Sequence, residues 1–417
     1  MGPFWTLLGF LILPWFWSMP QAMYTAELST ALPVDGGISV WARVAWSEFW
    51  GFQGGLWAWM EGVSTLAAYP TLVVAYLEEI AGDWDPIHEW LAKAGIACLL
   101  VLMNLRGTSW VGHASGALGV FVLAPLVAFS ILGIPQMDIS KWNDGYGVGN
   151  SNWTYFFNLM LWNLSGYDNM GAVSGEVHQP AVTVPRAQVI AVIAGSLAYL
   201  IPLGVATAVD SDWTAWHEGH LAMIGSKVAG DWLGIWILIG AAASRSSNFM
   251  AELCTNSFFL QGMGDQALLP AIFAWRHPSY DTPWVSILFN FLCILFLMLL
   301  GLSEILQLAN VFTAASFLLG ISSLLRLRKS RPIQTRDVGA FIMPLSETGI
   351  LIWFAPAFFL VGLTVFLCTR VILLLGILLF AIGHLLFYLL QHARRSGWIE
   401  FAEAPQIDAI KEVWFVL

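Results

Sequence analysis

The chain has 417 residues, 58% of them apolar and only 11% charged, with a mean hydropathy of +0.72 and a formal net charge of −10. A soluble domain carries about a quarter charged residues, so lipid rather than water must cover most of this surface, and the acidic balance excludes a basic face for nucleic acid. The cysteines (Cys98, Cys254, Cys293 and Cys368) lie in apolar runs without metal-type spacing and read as buried small hydrophobes, so no metal or cofactor is expected.

A span needs about 20 mostly apolar residues to cross the hydrocarbon of a bilayer. In chain order such runs fall at 5–32, 49–77, 88–105, 108–134, 153–177, 187–209, 234–262, 284–302, 304–325, 349–368 and 371–389. They predict an all-α polytopic membrane protein with about eleven spans, a single transmembrane domain over 1–390 and a short tail over 391–417. The longer polar connections are 135–152, 210–233 and 326–348. Glycines and prolines inside the runs fit helices packed in lipid.

Lys and Arg set the orientation. One set of alternate connections holds twelve of the 17: Arg43, Arg106, Arg186, Arg276, Arg326, Arg328, Lys329, Arg331, Arg336, Arg394, Arg395 and Lys411. The opposite set holds Lys141, Lys227 and Arg370, and Lys93 and Arg245 fall inside spans. The bias places the tail in the cytoplasm and Met1 on the outer side. The outer connections are then acidic, with Glu79, Asp83, Asp85 and Glu89, then Asp138 and Asp144, then Asp210, Asp212, Glu218 and Asp231. Such a mouth raises the local concentration of cations, although charge exclusion alone produces the same pattern.

An ionisable group at membrane depth marks a functional site by default. Glu27, Glu61, Asp168, Glu176 and Glu252 qualify, with Arg245 as their basic counterpart. Glu27 and Glu176 lie near span ends and are expected to snorkel to the interface. Glu61 and Asp168 lie mid-span. The segment LWNLSGYDNMGAVSGEV, 161–177, is polar or small from Asn163 to Asn169, halfway through an apolar run. A continuous helix gains nothing from that pattern. An interrupted helix does, because unwound backbone is tolerated where it lines a cavity and there binds polar solutes. Trp162 and Tyr167 beside Asp168 make a candidate ammonium cage, and Ser165 and Gly166 belong to the same turn. The histidines are scattered singly, with no Ser/His/Asp arrangement, which argues against an enzyme.

LWNLSGYDNMGAVSGEVHQPAVTVPRA resembles the sixth helix and following loop of the amino acid–polyamine–organocation superfamily. GFLILPWFWSMPQAMYTAELSTALPVDGG, FWGFQGGLWAWMEGV, MAELCTNSFFLQGMGDQALLPAIFAW and YDTPWVSIL extend the resemblance, in order, to about residue 390. It is closest to eukaryotic polyamine uptake and L-type amino acid transporters. The resemblance implies a LeuT-type inverted-repeat fold of twelve helices, with substrate between the broken first and sixth helices. It places Trp162 on the family's gating aromatic, Gly166, Tyr167 and Asp168 on the unwound turn, and Glu61, Glu252 and Asn256 on helices that line the pocket. Glu61, Asp168 and Glu252 are the proton-coupling candidates. The family's first helix, which holds the substrate's polar head, has no counterpart in this sequence, in keeping with the outer placement of Met1.

The expected function is a secondary active transporter of polyamines of the putrescine and spermidine class, coupled to protons, in the plasma membrane. The alternative is a neutral or cationic amino acid transporter of the L-type branch, whose substrate needs a carboxylate site that the absent helix would supply. A non-transporting nutrient sensor keeps the same fold but needs a longer signalling extension than the residues after Tyr388.

Overall fold

Prolines decide where the first apolar run bends. In the computed structural model Pro3 opens α1 (Pro3–Leu13), Pro14 starts a wide π turn over Pro14–Ser18, and Pro20 sits in the first turn of α2 (Met19–Ala31). A π turn inside a helix leaves backbone and side chains aimed off the regular register and recurs at functional sites. The structure describes residues 2–82, 84–144, 152–216, 219–330 and 340–402. Asp83, Glu218, Arg331, Arg336 and Lys411 lie outside them, as do the side chains of Glu79 and Glu176.

The described chain continues through α3 (Ile38–Ala45), α4 (Glu48–Ala81), α5 (Pro86–Asn104) and α6 (Thr108–Gly133). Next come α7 (Trp153–Asn163), a 3-10 segment (Tyr167–Glu176) and α8 (Pro180–Val209). It ends with α9 (His220–Ala229), α10 (Asp231–Asp265), α11 (Trp284–Leu297), α12 (Leu302–Ser330), α13 (Glu347–Leu367) and α14 (Arg370–Arg395). No strand occurs among the described residues. This is the all-helical architecture of a polytopic membrane protein.

Among the described residues six stretches are long and apolar enough to cross a membrane: Pro86–Asn104, Ser115–Gln136, Pro180–Val209, Leu302–Ser330, Glu347–Leu367 and Arg370–Arg395. α4 and α10 are longer still but carry ionisable groups along their length. They tolerate them because their neighbours are protein: α4 is packed by α3, α10 and α12, and α10 also by α6. In α12, 78% of the apolar window is buried, against 17% in α14, so α12 is interior and α14 peripheral. Gly62 on α4 lets α10 approach, since a Cβ there would collide with the Asn256 amide.

Two expectations are corrected. Glu27 does not reach the interface: it is 1% exposed and is paired with Arg328, whose guanidinium donates to both carboxylate oxygens. The Met343 N–H donates to Glu27 as well, and Arg328 also donates to the Met343 and Leu345 carbonyls. Arg328 was counted with a connection, yet α12 continues to Ser330 and carries it inward beside α2. The cysteines are free, but Cys98 is exposed and the other three are half-buried, because the apolar runs face outward as much as inward.

At the acidic connection after α8, Asp210 accepts a hydrogen bond from Lys227 at the end of α9. That bond, with a further one from the Asp212 N–H, holds its carboxyl below the usual carboxylate range.

Candidate functional site

The helix entered at Trp153 stops at Asn163. Leu164 leaves the helical region, Gly166 takes a left-handed conformation at φ +95°, and the chain resumes as the 3-10 segment from Tyr167. Glycine adopts that backbone at no steric cost. The break is pinned by the π turn of the first apolar run: Trp17 Nε1 donates to Ser165 Oγ at 2.9 Å and Ser18 Oγ to the Leu164 carbonyl at 2.7 Å. A freed carbonyl is thus satisfied by protein.

Beside the break is a cavity of about 230 Å³. Glu61, Thr65 and Tyr69 of α4 form one wall, and Arg245, Asn248 and Glu252 of α10 another. Trp162, Asn163, Ser165, Gly166 and Asn169 come from the interrupted helix and Tyr199 from α8. A second cavity of about 430 Å³ shares Tyr69, Ser165, Gly166, Asn169, Asn248 and Glu252, and extends along Tyr167, Met170, Val173, Ala187 and Ala191. Charged groups thus concentrate at the shared end, and the extension is mainly apolar, with Gln188 and Thr255 as its polar members.

Hydrogen bonds fix the orientation of the acids and the aromatic ring. Asn169 Nδ2 donates to both oxygens of Glu252, at 2.9 and 3.2 Å. Trp162 Nε1 donates to Thr65 Oγ1 at 3.2 Å, and Thr65 in turn donates to Glu61 Oε1 at 3.4 Å. Tyr199 OH donates to Asn163 Oδ1 at 3.1 Å. The Tyr69 ring lies 5.9 Å from that of Trp162, and the Arg245 guanidinium sits over Trp162 at 5.8 Å. Two carboxylates, one guanidinium and three aromatic side chains therefore share one small space. Such a space suits an organic ammonium group, which needs negative charge and an aromatic face.

Of the residues expected at the site, the structure brings Glu61, Trp162, Ser165, Gly166 and Glu252 to the first cavity. Tyr167 faces the second, and its carbonyl accepts from Gln188 Nε2 at 2.6 Å, so it does not share a cage with Trp162. Tyr69 and Tyr199 take that place. Asp168 is half-buried, lines neither cavity, and lies within electrostatic reach of Tyr24, Glu61 and Glu252. Asn256 is 1% exposed and is used between helices, where its Nδ2 donates to Asn290 Oδ1 at 3.0 Å and to the Trp59 carbonyl at 3.4 Å. Thr65, Tyr69, Asn169, Tyr199 and Asn248 were not anticipated as part of the site. For Thr65, Tyr69 and Asn248 the signal was spacing: Thr65 and Tyr69 follow Glu61 by four and eight residues, and Asn248 and Arg245 precede Glu252 by four and seven, each set on one helical face.

A bundle built around an interrupted helix, with a polar cavity at the interruption and apolar helices outside, defines a membrane transport protein. A family profile described as amino acid permease matches residues 1–390, and the chain belongs to that family, within the amino acid–polyamine–organocation superfamily. Over 403 residues it is 35% identical to a probable polyamine transporter of Arabidopsis thaliana, covering 96% of this chain and 83% of the relative. It is 33% identical to polyamine transporter RMV1 of the same plant, over 99% of this chain and 84% of that one. Polyamine transporter PUT1 of Oryza sativa subsp. japonica is also 33% identical, over 98% and 76%.

Proposed function

We propose that the chain is a secondary active transporter of polyamines, of the putrescine and spermidine class, working by proton symport. One substrate ammonium sits between Glu61 and Glu252 against Trp162, and the methylene chain extends into the second cavity. The observation that carries the proposal is the meeting of Glu61, Glu252 and Trp162 around one cavity at the helix break. A desolvated ammonium is held by carboxylates and by an aromatic face, and Met170, Val173 and Ala187 suit an aliphatic chain. The curated relatives' names point the same way. Glu61, Glu252 and the nearby Asp168 are the candidates to carry the coupled proton.

The transporter domain is taken as residues 1–390, with eleven spans at the stretches given above. The balance of Lys and Arg supports a cytoplasmic tail, and plasma-membrane residence is the natural site for uptake. A second reading, transport of a neutral or cationic amino acid, is favoured by Arg245, which gives the cavity a partner for a carboxylate without any further helix.

Competitive uptake in vesicles separates the two. Labelled putrescine or spermidine is offered against arginine and leucine, with and without an inward proton gradient. Polyamine uptake that responds to the gradient and resists leucine is the expected result. Uptake blocked equally by leucine, or labelled leucine carried faster than polyamine, would refute the polyamine assignment.

A further inference from the structure

Arg245 is the single basic side chain lining the cavity at the break. A charge removed from water needs a partner. Two carboxylates line the same cavity, yet no ion pair among the described residues joins Arg245 to either. Its guanidinium instead hydrogen-bonds to the Tyr76 hydroxyl and lies over the Trp162 ring, 5.8 Å from the centroid, within the range of cation–π attraction. Trp162 is held in place by its bond to Thr65, so the ring keeps presenting that face. On α10, Arg245 and Glu252 are seven residues apart on one side, about 10 Å along the axis.

We propose that Arg245 is a tethered competitor of the substrate: it occupies, in the empty site, the aromatic face that an organic ammonium takes on binding. This rests on the polyamine reading given above. An arriving ammonium displaces the guanidinium, so part of its attraction to Trp162 replaces a contact already made. A departing ammonium is in turn replaced by Arg245, which speeds release. Arg245 therefore trades affinity for turnover, and its removal lowers KM and the maximal rate together.

The test compares wild type and Arg245→Gln, purified and reconstituted in parallel, for uptake of labelled putrescine. The expected result for Arg245→Gln is a KM lower by about 2- to 30-fold, the range that one cation–π contact provides, together with a reduced maximal rate. In a Trp162→Leu background the same substitution leaves KM unchanged, because the contested face is gone. Should Arg245→Gln not accumulate, Arg245→Met also removes the cation while keeping an unbranched side chain in its place, and its KM falls as well.

A KM that is unchanged or higher in whichever of the two variants accumulates, with uptake by the wild type intact, overturns the proposal. A higher KM for an amino acid substrate in the same variant marks Arg245 as a carboxylate partner instead. An equal fall in KM with and without Trp162 overturns it too, in favour of plain charge repulsion. Absence of polyamine uptake by the wild type itself removes the substrate reading and this inference with it.

Discussion

Replacing Glu252 by Gln removes one negative charge and little else. The new amide oxygen still accepts from Asn169, which in the native protein donates to both carboxylate oxygens. The shape of both cavities is therefore kept, and what changes is the attraction for a desolvated ammonium. Losing one partner of a buried charge pair costs about 2–5 kcal/mol. Glu61 remains in the same cavity and takes up part of the burden, so the lower end applies: about 2–3 kcal/mol, or roughly 30- to 150-fold in KM for putrescine. Asp168 lines neither cavity and acts only through space. Asp168→Asn therefore costs about 1 kcal/mol, roughly fivefold. The assay is concentration-dependent uptake of labelled putrescine into proteoliposomes at matched protein content, for wild type and both variants. A KM for Glu252→Gln within threefold of wild type, or a larger loss for Asp168→Asn than for Glu252→Gln, refutes the placement of the ammonium.

Three further outcomes follow from contacts away from the ammonium. Asn256→Ala leaves Asn290 and the Trp59 carbonyl short of a partner, so stability falls by about 1–3 kcal/mol while KM stays put; a raised KM at unchanged melting temperature would return Asn256 to the site. Glu27→Gln strands a buried Arg328 and costs about 3–5 kcal/mol, seen as lower abundance and melting temperature. The double change Glu27→Leu with Arg328→Met recovers much of that loss, and a double variant as unstable as the single one contradicts the pairing argument. Asp210 has its carboxyl lowered by Lys227, so the tie between α8 and α9 holds above the ordinary carboxylate value, about 3.9. It is lost as pH falls through the still lower folded value. Measured against the intrinsic exchange rate at each pH, amide protection over His220–Ala229 should fall in that acid window for wild type, and in Asp210→Asn should be low and unchanged there.

The helix break was legible because Asn163–Asn169 places polar and small residues where a continuous apolar helix has no use for them. Trp162, Ser165 and Gly166 were found with it, and Glu61 and Glu252 by their depth. Asp168 was overvalued, since a charge beside a break is conspicuous in sequence but the turn of Gly166 decides which way its neighbours face. The burial of Glu27 was not legible, because its partner Arg328 lies 301 residues away on a helix that runs further than its apolar stretch. Asn256 looked like a pocket residue for the opposite reason: it stands one turn from Glu252, but its amide is fixed by α11, whose packing no local pattern announces.

In the transport cycle proposed above, the bond between Asn169 and Glu252 joins parts that alternating access would separate. Asn169 belongs to the half-helix beyond the break, while Glu252 stands on the long, continuous α10. When that half-helix swings, the amide leaves and the carboxylate must find another donor, either the cargo or a proton. Once cargo and proton have left, the returning amide would cap the anion again, so the emptied carrier keeps a donor for its way back. On that reading a single side-chain amide stands in for the cargo whenever the carrier is empty.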